Sequence, residues 1–158
     1  MRLAIGSDDA GYPLKEVVRR YLEEAGVRAH DFGVKDPQQG DYPDVAFKVA
    51  AAIAQGEFER GILICGTGIG MAISANKVPG VYAALCHDVY SAERARKSNN
   101  AQILTMGGRV VGPELAKTIV EAWLQSEFED GGSTRKIRKI AAWEERQRGG
   151  KPREEAAE

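Results

Sequence analysis

Short apolar runs alternate along the chain with longer stretches in which apolar residues recur every three or four positions. The runs lie at residues 3–5, 27–31, 61–65, 82–86 and 103–106, each of strand length. Helical patterns follow them. In the first, Leu14, Val17, Val18, Tyr21 and Leu22 fall at i, i+3, i+4, i+7 and i+8, a single core-facing stripe. Pro13, Pro43 and Pro113 fit the first position of their helices, where a missing N–H costs nothing. The last such stretch, 112–125, ends in Trp123 and Leu124. Five β–α units in series predict a three-layer α/β/α, Rossmann-like fold with a five-stranded parallel sheet covered on both faces. The run at 61–65 is apolar throughout, as befits a central strand buried on two sides. An extra C-terminal helix is predicted from 133 to about 148, with Ile137, Ile140 and Ala141 on one face. Residues 149–158 are charged and lack apolar anchors, which predicts a flexible tail after a single domain spanning 1–148.

Composition narrows the classes. The 158 residues suit one domain, and 43% hydrophobic with 28% charged residues is ordinary for a folded protein. A net charge of −1 supplies no field that would gather nucleic acid. No apolar run approaches the roughly 18 residues of a membrane span, and the first is too short for a signal peptide. The expectation is a cytoplasmic protein with neither nucleic-acid nor membrane partner. Cys65 and Cys86 are then expected as reduced thiols. Two cysteines and two histidines form no zinc spacing, so neither metal nor cofactor is expected.

Ligands of an open parallel sheet bind at the carboxyl ends of its strands. The segment there that is richest in chemistry is Cys65-Gly66-Thr67-Gly68-Ile69-Gly70, after which 71–76 reads as helix. Glycines let the backbone approach a ligand and turn N–H groups inward, making a concavity for a negative oxygen. The same field favours a thiolate at Cys65. A thiolate beside such a concavity suits nucleophilic attack or proton abstraction next to a carbonyl; the plainer alternative is a buried cysteine before a turn. The P-loop and dinucleotide patterns are absent, and Met71 stands where a Cys-x5-Arg phosphatase needs arginine. Asp8 and Asp9 end the first strand and can divide proton handling and hydroxyl binding, with helix capping as the alternative, more for Asp9 than for Asp8. His87 sits at a strand end, where it would line the pocket, while His30 reads as a surface strand residue. The Ser98-Asn99-Asn100 segment offers amide donors, although Asn100 is better explained as a helix-ending residue.

Together the segments Ile5-Gly6-Ser7-Asp8, the run from Gly61 to Gly70, Ser74-Ala75-Asn76-Lys77, Tyr90-Ser91-Ala92, Asn99-Asn100-Ala101 and Gly108-Arg109-Val110-Val111-Gly112 resemble the ribose-5-phosphate isomerase B / galactose-6-phosphate isomerase family over residues 1–146. The resemblance implies metal-free aldose–ketose isomerisation of a sugar phosphate through a cis-enediol. Cys65 would abstract the proton beside the carbonyl, with Thr67 assisting. Gly66, Gly68, Ile69, Gly70 and Asn99 would steady the enediolate, and Asp8 would move hydroxyl protons. A homodimer or tetramer is implied, each site being completed by the partner's C-terminal region.

Departures from the family pattern bear on substrate. Ribose-5-phosphate enzymes carry a ring-opening histidine where this chain has Ser98, and a second histidine where it has Asp9. Their two C-terminal phosphate-binding arginines align with Gly132 and Lys136, with Arg135 and Arg138 close by as substitutes; Arg109 keeps a third phosphate-contacting position. The alternative for the basic run 135–139 is a solvated helix face. Serine cannot act as an acid near neutrality as an imidazolium can. That loss is harmless for a tetrose 4-phosphate, which cannot close a furanose because the needed hydroxyl is esterified. The Ser-Asn-Asn segment also resembles the tetrose-phosphate branch of the family. D-Erythrulose 4-phosphate/D-erythrose 4-phosphate is therefore the preferred pair, ahead of ribose 5-phosphate and then galactose 6-phosphate; a sugar-phosphate-binding module is the non-enzymatic alternative.

Overall fold

The structure, a computed structural model, describes residues 1–33 and 40–149. Five parallel strands, β1 (Leu3–Ser7), β2 (Ala29–Asp31), β3 (Arg60–Cys65), β4 (Ala83–Leu85) and β5 (Ile103–Gly107), form one sheet in the order β2-β1-β3-β5-β4. Among the described residues six helices accompany them: α1 (Tyr12–Glu24), α2 (Tyr42–Ala54), α3 (Ile69–Ala75), α4 (Val89–Lys97), α5 (Pro113–Gln125) and α6 (Thr134–Arg148). The three predicted prolines start α1, α2 and α5.

Alternation along the strands sorts the core into two layers. Ile62 and Ile64 of β3 pack with Leu3, Ile5, Leu104 and Met106 beneath α1, α4 and α5, where Val18, Ala92 and the fully buried Trp123 close the layer. Leu63 and Cys65 point the other way, toward Val45 and Val49 of α2 and Met71 of α3. All six residues of β3 are buried, as the apolar run predicts. The predicted strands at 27–31 and 82–86 shrink to three residues each, since they form the two sheet edges and pair on one side only.

One buried charge departs from the apolar stripe. Lys15 on α1 is wholly enclosed, with Nζ 2.7 Å from Asp31 Oδ2 and 5.1 Å from the centre of the Tyr12 ring. The partner lies on β2, sixteen residues away, so helical periodicity gives no sign of it.

Helix α6 forms where predicted but buries none of its residues; Ile140 is 49% and Trp143 61% exposed. Among the described residues, its apolar face finds no surface of its own chain that buries it. The contacts that tether the helix region include Glu129 N–H donating to the Lys97 carbonyl and Gly80 N–H donating to Glu144 Oε2. Residues 150–158 of the predicted tail lie outside the described residues.

The chain leaves β1 for β2 on one side and reaches β5 and β4 on the other. The winding therefore reverses between β1 and β3, and a crevice opens beyond their carboxyl ends. Cys65 and Asp8 stand at its mouth.

Candidate active site

Three loops meet beyond the carboxyl ends of β1, β3 and β5, and backbone hydrogen bonds lock them together. Asp8 N–H donates to the Ile64 carbonyl at 3.3 Å, Gly108 N–H to Cys65 O at 2.8 Å and Arg109 N–H to Gly66 O at 3.0 Å. The fit demands glycine. A Cβ on Gly11 would lie 2.1 Å from the Ile64 carbonyl oxygen, and one on Gly107 would lie 2.7 Å from Thr67 Cα. Such approaches exclude any side chain.

Cys65 ends β3 and is 4% exposed. Its Sγ accepts a hydrogen bond from Gly68 N–H at 3.1 Å. Gly68 caps α3 with φ +77, a left-handed conformation that suits glycine. The loop therefore turns an N–H onto the sulfur, as the three glycines suggest, and this donor stabilises a negative sulfur more than a neutral one. Thr67 Oγ1 accepts from Ile69 N–H at 3.3 Å, leaving its own O–H to donate outward. The helix begins at Ile69, two residues ahead of the predicted start at 71, because Gly68 already supplies its cap.

Asp8 is 8% exposed, and its Oδ1 accepts from Gly11 N–H at 2.8 Å. Burial raises its carboxyl above the ordinary value; the Gly11 hydrogen bond opposes the shift, Asp9 adds to it, and Arg109 opposes it. Neither aspartate caps α1 with its side chain, since Gly11 is the N-cap: the Asp8 carboxylate holds Gly11 N–H in the turn before the helix, while Asp9 is exposed and engages Tyr12 N–H only through its backbone carbonyl. His87 Nε2 accepts from Gly107 N–H at 3.0 Å. Through that bond the ring braces the β5 loop. Arg109 is exposed and runs its guanidinium along the Cys loop: a Cβ on Gly66 would lie 3.3 Å from Nη1.

Two residues escaped the sequence reading. The Tyr42 ring lies so close to Gly70 that a Cβ there would come within 2.5 Å of Cε2. Its signal is an aromatic side chain immediately before a helix-initiating proline. Thr105 of β5 donates from Oγ1 to the Gly68 carbonyl at 3.0 Å; its signal is one hydroxyl in an otherwise apolar central strand.

Ser98, Asn99, Arg135 and Lys136 do not join this cluster within one chain. Ser98 and Asn99 follow α4 and precede β5, and Gln102 O beside them pairs with Gly61 N–H at the start of β3. The paired register Gly61–Ile103 to Cys65–Gly107 puts four residue steps, roughly 13 Å, between that end of the sheet and Cys65. Arg135 and Lys136 lie exposed at the start of α6, six and seven residues after Glu129, which is bonded to Lys97. Asn100 has φ +51 and takes a hydrogen bond from Arg96, the helix-ending role expected of it. Ser98 Oγ accepts a hydrogen bond from the Arg94 guanidinium. His30 is exposed on its edge strand, its ring edge-on to Phe32 and tilted against Phe58. Among the described residues no group of three or more His, Cys, Asp or Glu side chains is placed to hold a metal ion, and no helix is long and apolar enough to cross a membrane.

Comparison with known proteins agrees with this geometry. Residues 3–140 match the family model described as Ribose/Galactose Isomerase. A D-erythrulose-4-phosphate isomerase of Pectobacterium atrosepticum is 53% identical over 150 residues, covering 94% of this chain and 98% of that protein. A ribose-5-P isomerase B of Listeria innocua is 50% identical over 137 residues, covering 87% and 93%. The solved structure of Clostridium thermocellum ribose-5-phosphate isomerase B superposes with a TM-score of 0.90 at 46% identity, covering 93% of this chain and 99% of that one. With the cysteine–glycine loop at the switch point of a five-stranded parallel sheet and a family match over nearly the whole chain, this protein belongs to the ribose/galactose isomerase family and is a sugar-phosphate isomerase.

Proposed function

We propose that the enzyme interconverts D-erythrose 4-phosphate and D-erythrulose 4-phosphate, with Cys65 as the base. The carrying observation is Ser98. It stands where ribose-5-phosphate enzymes of this family place the histidine that opens the sugar ring, and a tetrose 4-phosphate has no furanose to open. The Pectobacterium relative, named for erythrulose 4-phosphate, supports the same choice. The Listeria relative's name supports the second reading, ribose 5-phosphate, with water or Asp9 assisting ring opening.

In the forward direction the Cys65 thiolate takes the proton from C2 of the aldose. The electron pair left behind forms the C1–C2 double bond, and the carbonyl pair moves onto O1. Loop N–H groups and the Thr67 hydroxyl stabilise that oxygen as charge develops. Asp8 carries the hydroxyl proton between O2 and O1, a task its raised carboxyl suits better than an ordinary aspartate would. Cys65 then returns its proton to C1, giving the ketose and regenerating the thiolate. Arg109 holds the phosphate from the same chain.

The second half of the site comes from a partner copy. Ser98, Asn99, Arg135 and Lys136 sit at the amino end of the sheet, and the bare apolar face of α6 needs a surface to cover, so a homodimer that lays this end against the partner's Cys65 loop satisfies both. There the Ser98 O–H donates to a substrate oxygen, its lone pair engaged by Arg94. Asn99 steadies the enediolate, and Arg135 and Lys136 meet the phosphate. Steady-state kinetics on both substrates decides between the readings. A kcat/KM higher on erythrulose 4-phosphate is expected, and a higher value on ribose 5-phosphate would overturn the tetrose assignment.

A further inference from the structure

Thr105 occupies the third position of β5, flanked by Ile103, Leu104 and Met106, and is completely buried. Strand β5 is internal to the sheet, between β3 and β4, so an apolar side chain is what burial there favours. A hydroxyl in such a place must find a partner or lose its hydration without compensation. This one finds the Gly68 carbonyl, with Oγ1 donating at 3.0 Å. The same carbonyl already accepts Ala72 N–H at 3.1 Å as the first bond of α3. Thr105 is therefore not needed to satisfy it, and its bond is an additional restraint.

The restraint falls on the residue that touches the sulfur. Gly68 N–H is the donor to Cys65 Sγ, and Gly68 holds φ +77 with no side chain to limit its rotation. Its surroundings leave no room for a side chain: a Cβ there would meet Met106 C at 2.7 Å and Leu85 Cδ1 at 2.6 Å. Two bonds on the carbonyl, one from α3 and one from β5, fix the Gly68–Ile69 peptide plane and so anchor the Gly68 Cα, on which the adjoining Thr67–Gly68 plane that carries the N–H is hinged. We propose that Thr105 is a positioning residue for the base: by clamping the Gly68 carbonyl to β5 it holds the Gly68 N–H on the Cys65 sulfur and keeps the thiolate populated. This deepens the proposed function and rests on Cys65 being its base.

The thiolate's ultraviolet absorbance, titrated against pH with Cys65→Ala as the blank, tests the clamp without any substrate. Cys86 does not interfere, because burial pushes its thiol up to about 11 and its signal cancels in the blank. In Thr105→Val the Cys65 titration is expected to move to higher pH, with a fall in kcat/KM of about tenfold, the effect of weakening one hydrogen bond to a charged acceptor. Thr105→Ser keeps the hydroxyl and is expected to restore both, which separates the bond from the loss of a buried shape. An unmoved titration in folded Thr105→Val, or a shift that Thr105→Ser shares in full, would overturn the proposal. A wild-type protein that titrates as described but fails to isomerise either substrate would instead overturn the proposed function and leave the clamp standing.

Discussion

Single residues set the chemistry here, and Asp8 carries a cost for it. Its carboxyl is buried and its pKa raised relative to the unfolded chain, so the native state binds the proton more tightly. Stability from this group is then greatest below the ordinary carboxylate range and falls as pH rises through the raised value. Asp8→Asn keeps an acceptor for Gly11 N–H and removes the buried charge. We expect its Tm to exceed wild type at pH 7, with the difference vanishing as pH falls below about 3.8, while kcat drops about a hundredfold, within the range for losing a general acid–base group. Thermal scans across pH and one rate measurement check both signs. Ser98 makes the complementary case. Ser98→His should raise kcat/KM on ribose 5-phosphate by at least about tenfold, short of the roughly hundredfold at the low end of general acid catalysis, and leave the tetrose nearly unchanged. Cys65, the glycines after it and Asp8 were all legible in the sequence, because motif and strand-end position coincide in one segment. Tyr42 and Thr105 were not: their importance comes from contacts with Gly70 and Gly68 made across the fold, which no local pattern encodes.

At the scale of elements, strand β3 and the loops around it form a unit whose tolerance is set by backbone against backbone. Gly11→Ala would drive a methyl into the Ile64 carbonyl, where nothing flexible can yield. A loss on the order of 3 kcal/mol is expected in chemical denaturation, at the upper end for overpacking. Gly132→Ala, facing open space, is expected within about 0.5 kcal/mol of wild type. The elements themselves were legible from periodicity, and so were the prolines that start three of the helices. Strand ends were less so, since a strand at a sheet edge stops where its single neighbour stops pairing. The order β2-β1-β3-β5-β4 was not legible either: apolar runs say which segments are strands, not which of them become neighbours.

For the whole molecule, the separation of candidate residues into two ends of one sheet is the decisive feature. Sequence motifs name residues without saying which copy of the chain supplies them. The register between β3 and β5 shows that one chain does not bring Ser98 to Cys65, since it places them roughly 13 Å or more apart along the strands; under the proposed function a partner copy supplies Ser98. A shared site predicts complementation. Subunits carrying Cys65→Ala and subunits carrying both Arg135→Ala and Lys136→Ala should each be inactive as pure dimers. Unfolded together and refolded at equal ratio, half the dimers are mixed with one intact site each, so about a quarter of wild-type activity is expected by symmetry. No recovery in such mixtures would place each site within a single chain. The central claim, that Cys65 moves the proton beside the carbonyl, is tested most directly by isotope exchange. Wild-type enzyme incubated with erythrose 4-phosphate in D2O should incorporate deuterium at C2, and folded Cys65→Ala should incorporate none. Exchange that persists in Cys65→Ala would contradict the account.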